Sequence, residues 1–278
     1  MINHYITLLR PYDWVKNFIV FLPVFFSVDL SNPNIVISIT KVFFIFCILS
    51  STIYVFNDIC DISQDKLNTL NNKNKPLALG YISLKNAQII FSLLLIISIS
   101  LILFVKQFTF YTCIIFLTLN ILYSIKLKEI FLLEMLIISI SYILRIYASS
   151  FEAEINLSEL MTLLVFISVL FIISLKRKKE LETNQNPRNA IRNISVSFFK
   201  YFSFITYSFL IIVYFYYSFL KEYEMKITFV FFFAIITRFF YIAFNSSNQS
   251  PVKILFSDKL LIFLCFLWTI SCFYILYL

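Results

Sequence analysis

Of 278 residues, 60% are hydrophobic and 14% charged, well outside the soluble range, where about a quarter of residues carry charge. A mean hydropathy of +0.88 points to a membrane protein, and the formal charge of +8 is distributed like the cationic inner loops of one rather than a nucleic-acid surface. His4 is the only histidine, which excludes His-based triads and zinc sites; Cys47, Cys60, Cys113, Cys265 and Cys272 are scattered without a CxxC and read as packing residues.

Residues 1–16 are polar and no small-residue cleavage site follows, so no signal peptide is expected. Apolar segments long enough for a hydrocarbon core of about 30 Å recur from there on. They are placed near 17–30, 35–57, 84–105, 108–124, 130–150, 158–175, 196–220, 226–245 and 259–278. The expectation is an all-α bundle of about nine transmembrane helices, a single domain over 1–278, with a cytoplasmic N-terminus. Cations set that orientation: Arg10, Lys16, Lys66, Lys73, Lys75, Lys85, Lys126, Lys128, Lys176 to Lys179, Arg188, Arg192, Lys200, Lys253 and Lys259 fall inside. Lys106, Lys221 and Lys226 alone fall outside, where the loop 151–159 is acidic. Two longer cytoplasmic loops are expected near 58–83 and 176–195.

Arg10-Pro11-Tyr12-Asp13-Trp14-Val15-Lys16-Asn17 opens the first span. Tyr12 and Trp14 read as interfacial anchors; Lys16 and Asn17 read equally as membrane anchors or as phosphate contacts at a helix start. At the end of the second span, Asp58, Asp61 and Asp65 fall on one helix face, with Asn57 at its edge. Three stacked carboxylates near a bilayer repel one another unless a cation joins them, and oxygen ligands at this spacing suit Mg²⁺ carrying a diphosphate. A solvated helix end is the plainer reading. Lys75-Pro76 to Gly80 then reads as helix stop and turn, with Ser83 as a fresh N-cap.

Tyr123, Lys126 and Lys128 lie in the short connection between spans four and five, facing the same compartment as the acids. Glu134, Ser141 and Arg145 share a stripe on span five, either a cavity wall or part of an interhelical pair. Lys176-Arg177-Lys178-Lys179-Glu180 closes span six, as a topology signal or as phosphate ligands, Arg177 being suited to a bidentate grip. Arg238, Tyr241 and Asp258 are a weaker set.

NDxxDxxxD after an apolar helix, followed by KPLxxGxIS, resembles the UbiA superfamily of membrane prenyltransferases. RPYDWVKN, YSIKLKEIFLLE, ISYILRIYAS and SLKRKKELE, with Arg238, Tyr241, Pro251, Asp258 and Trp268, are similar to the branch containing decaprenyl-phosphate phosphoribosyltransferase. The resemblance implies a Mg²⁺-dependent integral-membrane transferase of the plasma (inner) membrane, its site facing the cytoplasm. It would move phosphoribosyl from phosphoribosyl diphosphate to a polyprenyl phosphate for cell-envelope polysaccharide precursors. It further implies Asp58, Asp61 and Asp65 as metal ligands, with Asp58, Asp61, Lys128 and Glu134 as catalytic residues. The substrate contacts would be Lys16, Asn17, Asn57, Lys75, Tyr123, Lys126, Arg145, Lys176, Arg177 and Lys178. No nucleic-acid partner is expected, and a homo-oligomer is left open. The runner-up is a prenyl group transferred from prenyl diphosphate to an aromatic or other acceptor. The absence of a second DxxxD in the basic loop after span six ranks it lower, although Glu134 stands where the branch would have Asp. A lipid or ion transporter ranks third, for want of Gly/Pro-broken helices.

Overall fold

Apolar segments in a bilayer must satisfy every backbone donor and acceptor internally, and this chain does so as helices. The computed structural model describes residues 2–27, 29–67, 75–183, 188–220, 223–245, 254–255 and 257–278; among them there is no strand. The helices are α1 (Ile2–Leu9), α2 (Leu22–Phe26), α3 (Pro33–Cys60), α4 (Ile62–Leu67), α5 (Leu84–Ile102), α6 (Gln107–Ile125), α7 (Phe131–Ala153), α8 (Glu159–Thr183), α9 (Val196–Leu220), α10 (Lys226–Asn245) and α11 (Lys259–Tyr277). Among the described residues, eight of these (α3 and α5 to α11) are long and apolar enough to cross a membrane.

The first expected span, near 17–30, is where the structure departs from the sequence reading. Pro11–Phe21 forms a 3₁₀ helix that runs into the five-residue α2. Proline stands in the first turn of both pieces, where its missing backbone donor is tolerated, and neither piece alone has the 18 or more residues of the long helices. Lys73, Lys221, Pro251 and Lys253 lie outside the described residues, as does part of each long loop (68–74 and 184–187). The basic run Lys176–Lys179 is not loop but the last turns of α8.

The described chain divides into two compact units. The first comprises residues 1–128 and 140–157. Its core is built on α3, where Ile39, Val42, Phe46, Leu49 and Ile53 meet Val20, Val24, Ile102, Phe116 and Ala148. A smaller cluster of Leu8, Val55, Leu77, Ile82 and Ala87 fastens α1 and the Pro76–Gly80 turn to α3 and α5. That turn needs the chain's only glycine, since Gly80 has φ +77°. As expected, Ser83 caps α5, its Oγ accepting from Asn86 N at 3.2 Å. The outer face of α5 (Ile89, Leu93, Ile96) is exposed and apolar, as a lipid-facing surface should be.

The second unit comprises 129–139 and 158–278. Ile167, Phe171 and Leu175 of α8 pack on Leu210, Val213, Ile235, Phe239 and Leu261. Tyr214 stacks on Phe232 at 3.8 Å and accepts from Trp268 Nε1 at 2.8 Å, giving the tyrosine hydroxyl a partner inside an apolar layer.

Candidate functional site

α3 has 28 residues and is about 42 Å long, longer than an apolar core of about 30 Å, and its last turns carry its carboxylates. Asp61 ends α3, but the backbone bonds Asp61 N to Asn57 O and Asp65 N to Asp61 O, both 2.9 Å, carry the helical path into α4. Ser50, Tyr54, Asp58, Asp61 and Asp65 therefore lie along one stripe.

Each aspartate of the stripe meets its own cation. Arg10 Nη2 is 2.5 Å from Asp58 Oδ1, and Lys75 Nζ is 2.5 Å from Asp65 Oδ1. Lys128 pairs with Asp61 and also reaches Asn57 Oδ1 at 3.5 Å, while Asn57 Nδ2 donates to Asp61 Oδ2 at 3.0 Å. Asp58 is 2% exposed, and its second oxygen, Oδ2, is buried with no hydrogen-bond partner among the described residues. A bare buried carboxylate oxygen is costly, and this is the kind of atom a divalent cation takes.

The residues opposite the stripe come from the N-terminal arm. Arg10 sits in the left-handed region (φ 52°, ψ 53°), which costs a non-glycine residue about 1–3 kcal/mol and marks a constrained position. The 3₁₀ helix that follows is 11 residues long, whereas such helices seldom exceed one turn. Trp14 Nε1 ties the arm to Ser51 Oγ at 3.0 Å, so Trp14 is packed on α3, while Tyr12 is 91% exposed. The Arg10 guanidinium and the Lys16 ammonium lie 5.3 and 5.8 Å from the centre of the Tyr54 ring, and Lys16 pairs with Asp13. Burial alone would lower the pKa of Arg10, but Asp58, with Asp13 and Tyr54, outweighs it and the guanidinium is held above its ordinary value. Lys16 is likewise raised: burial pulls its pKa down, and Tyr54 and Asp13 overcome that.

Deeper on the stripe, Arg145 of α7 is 6% exposed and donates to Asn17 Oδ1 (2.9 Å, from Nε), Ser141 O (2.9 Å, from Nη1) and Ser50 Oγ (3.4 Å, from Nη2). Of the connection after α6, Tyr123 is half-buried in the last turn, Lys126 is exposed at the helix end, and Lys128 is the residue turned onto the stripe.

The remaining predicted residues belong to the second unit. Glu134 is fully buried and receives Arg177 Nη2 at 2.7 Å and Arg188 Nη1 at 2.8 Å; Glu180 pairs with both arginines, Arg188 Nε at 3.0 Å. Arg177 is thus held between carboxylates. Lys178 is buried and donates to Phe244 O at 2.6 Å, satisfying a terminal carbonyl of α10, and Lys176 is exposed. Arg238 and Asp258 pair at 2.9 Å, and Asp258 caps α11 through Leu261 N at 2.7 Å.

The donor set fits Mg²⁺ in its chemistry: carboxylate oxygens, one of them bare. Among the described residues, however, no three His, Cys, Asp or Glu side chains converge closely enough to hold a metal ion. The ligands the stripe offers are Asp58 and Asp61, one helical turn apart, and Mg²⁺ needs only one or two carboxylates when phosphate oxygens and water complete its shell.

Sequence reasoning did not place Arg10, Asp13 or Tyr54 in the site. Arg10 counted only as an inner cation, although its position before Pro11, at the joint between two helical pieces, was a usable signal.

A family model described as the UbiA prenyltransferase family matches residues 18–186. Two curated relatives carry the name decaprenyl-phosphate phosphoribosyltransferase. The one from Mycolicibacterium smegmatis is 22% identical over 72% of this chain, and the one from Corynebacterium glutamicum 28% over 66%. The chain spans 65% and 56% of the lengths of these relatives. A solved structure of a UbiA homolog from Archaeoglobus fulgidus bound to GPP and Mg²⁺ is similar in fold, with a TM-score of 0.74 and 17% identity over 98% of this chain and 99% of that one.

Proposed function

This chain belongs to the UbiA prenyltransferase family, and on that premise we propose that it transfers 5-phosphoribosyl from phosphoribosyl diphosphate to a polyprenyl phosphate. It is a multi-pass membrane transferase of that superfamily. The observation that carries the finer reading is the α3 stripe, where carboxylates and cations alternate and Asp58 keeps one buried oxygen bare. A phosphate-rich donor is a ligand this alternation can take apart and rebuild: the acids turn to a metal and the released cations turn to phosphate oxygens. The names of the two curated relatives support the same donor and acceptor.

In this reading Asp58 and Asp61, with Asp65 at the outer end, would hold Mg²⁺ for the diphosphate. When bound, the ion stabilises the negative charge of the leaving diphosphate. Arg10, Lys75 and Lys128, each now on an aspartate, would bind the diphosphate oxygens; Arg10 offers two parallel donors and the lysines single charges. An acceptor phosphate is already ionised, so an oxygen of it attacks the ribose anomeric carbon, the bond from that carbon to the diphosphate breaks, and no histidine or cysteine base is needed. Glu134 would act on Arg177 and Arg188 rather than on substrate. The cation distribution of the sequence supports a site facing the cytoplasm of a plasma-membrane enzyme.

Purified protein given labelled phosphoribosyl diphosphate, Mg²⁺ and a polyprenyl phosphate is expected to form a lipid-linked phosphosugar. Transfer from a prenyl diphosphate to an aromatic acceptor, without that product, would reverse the assignment in favour of the ordinary prenyltransferase reaction.

A further inference from the structure

Arg145 is set apart from the other cations of the first unit's site. Arg10, Lys16, Lys75 and Lys128 each lie on a carboxylate. Arg145, the deepest, is 6% exposed and forms no ion pair among the described residues; Asn17, Ser50 and the Ser141 carbonyl are its hydrogen-bond partners. Its guanidinium lies 4.7, 5.0 and 5.8 Å from the ring centres of Phe116, Tyr142 and Phe46. Neutral acceptors and ring faces orient such a charge but do not neutralise it, and a buried charge without a counter-ion is strongly unfavourable. The site therefore holds one more cation than carboxylates, and the surplus sits at its inner end.

Position along α3 gives the surplus a meaning. Ser50, which receives Arg145, is eight residues before Asp58, or about 12 Å down the same stripe, with Tyr54 and its two cations between. Three of the five guanidinium N–H donors are engaged, leaving two for an incoming oxyanion. Asn17 also accepts from Ser50 Oγ at 3.4 Å and donates to Cys47 Sγ at 3.5 Å, so Asn17 and Ser50 form a polar seat of rotatable groups.

We propose that Arg145, with Asn17 and Ser50, is a second anion seat whose ligand is a phosphate monoester, distinct from the diphosphate position at Asp58 and Asp61. The inference rests on the donor and acceptor proposed above, which supply two such groups: the 5-phosphate of the donor and the head of the acceptor lipid. Occupation would bring the missing negative charge and place a phosphate at a fixed distance from the leaving group.

The test is thermal unfolding of the full-length protein in detergent, with and without inorganic phosphate, ribose 5-phosphate or a short-chain prenyl monophosphate, and with magnesium diphosphate as reference ligand. The wild type is expected to be stabilised by phosphate and by at least one monoester. Arg145→Gln should weaken that binding about 10- to 100-fold, the range for a lost charge-assisted hydrogen bond, while the magnesium diphosphate shift persists. Without ligand, Arg145→Gln should unfold no earlier than wild type, because an uncompensated charge has been removed. Asn17→Asp supplies a carboxylate beside Nε and should raise the ligand-free unfolding temperature while abolishing the monoester shift; it also serves where Arg145→Gln does not fold. A shift from the prenyl monophosphate alone assigns the seat to the acceptor, and from ribose 5-phosphate alone to the donor. No monoester shift in wild type, or one that survives both substitutions, overturns the proposal. If magnesium diphosphate gives no shift while the Arg145-dependent one remains, the reading of the aspartates fails and the anion seat stands.

Discussion

Arg10 Nη2 lies 2.5 Å from Asp58 Oδ1, and the other oxygen of the same carboxylate is buried without a partner. One oxygen of Asp58 is thus paired with the N-terminal arm and the other is not, and Arg10, across the pair, is itself in the left-handed backbone region.

Breaking this pair from the acidic side separates folding from chemistry. Asp58→Asn and Asp61→Asn are each expected to abolish transfer while leaving folded, membrane-inserted protein, measured by product formation beside size-exclusion behaviour. Turnover within about tenfold of wild type, or about 1.4 kcal/mol of barrier, would remove these aspartates from the mechanism.

At Arg10 the left-handed backbone makes the choice of substitution diagnostic. Both Arg10→Ala and Arg10→Gly lose the ion pair, but only glycine relieves the conformation, so the glycine variant should be more stable by about 1–2 kcal/mol in denaturant titration. Equal stabilities would show that the conformation at Arg10 costs nothing.

The buried network of the second unit predicts a stability phenotype. Glu134→Gln leaves Arg177, 2% exposed, short of a counter-charge, and removing one partner of a buried pair costs about 3–5 kcal/mol. Chemical denaturation should report a loss of that size, with Arg177→Met in the same background recovering part of it.

At the start of α11 the effect is small and has a sign. The hydrogen bond from Arg238 holds the Asp258 carboxyl below the ordinary carboxylate range against the opposing effect of burial, helped by the bond from Leu261 N. A carboxyl with a folded pKa below its unfolded one stabilises the fold above the unfolded value and loses that contribution as pH falls through the folded value. Unfolding temperatures measured from pH 7 to pH 3 should therefore decline less at the acid end in Asp258→Asn than in wild type, and parallel curves would rule the pair out.

Topology is open to direct labelling. Cysteines introduced at positions 70 and 185 should react from the cytoplasmic side, and one replacing Glu154, which is 77% exposed, from the opposite side. Reaction of the first two from outside would invert the assigned orientation.

Hydropathy made the long helices legible because a spanning helix must be apolar for about 20 residues whatever it packs against. Residues 17–30 are apolar, and hydropathy does not tell that they begin as a 3₁₀ helix that runs into a short α-helix. The acidic face of α3 was legible for a similar local reason: helical spacing alone puts Asp58, Asp61 and Asp65 together. The pairings across the chain were not. Arg10 is 48 residues from Asp58, Lys128 is 67 from Asp61, and Asn17 is 128 from Arg145, separations at which no periodicity operates. Arg177 was legible as a cation but not by its partners: its basic neighbourhood suggested an anion, and its two Nη atoms pair with two glutamates, one of them in another helix.

The length of α3 also bears on biogenesis. Asp61 leaves the ribosome 67 residues before Lys128, an interval of about 3 to 13 s at ordinary elongation rates. Throughout that time the nascent helix must keep an acid without its eventual counter-ion. A helix about 42 Å long can seat its apolar turns in the bilayer while its acidic end waits in water. A shorter α3 would draw the same carboxylate into lipid before its lysine had been made.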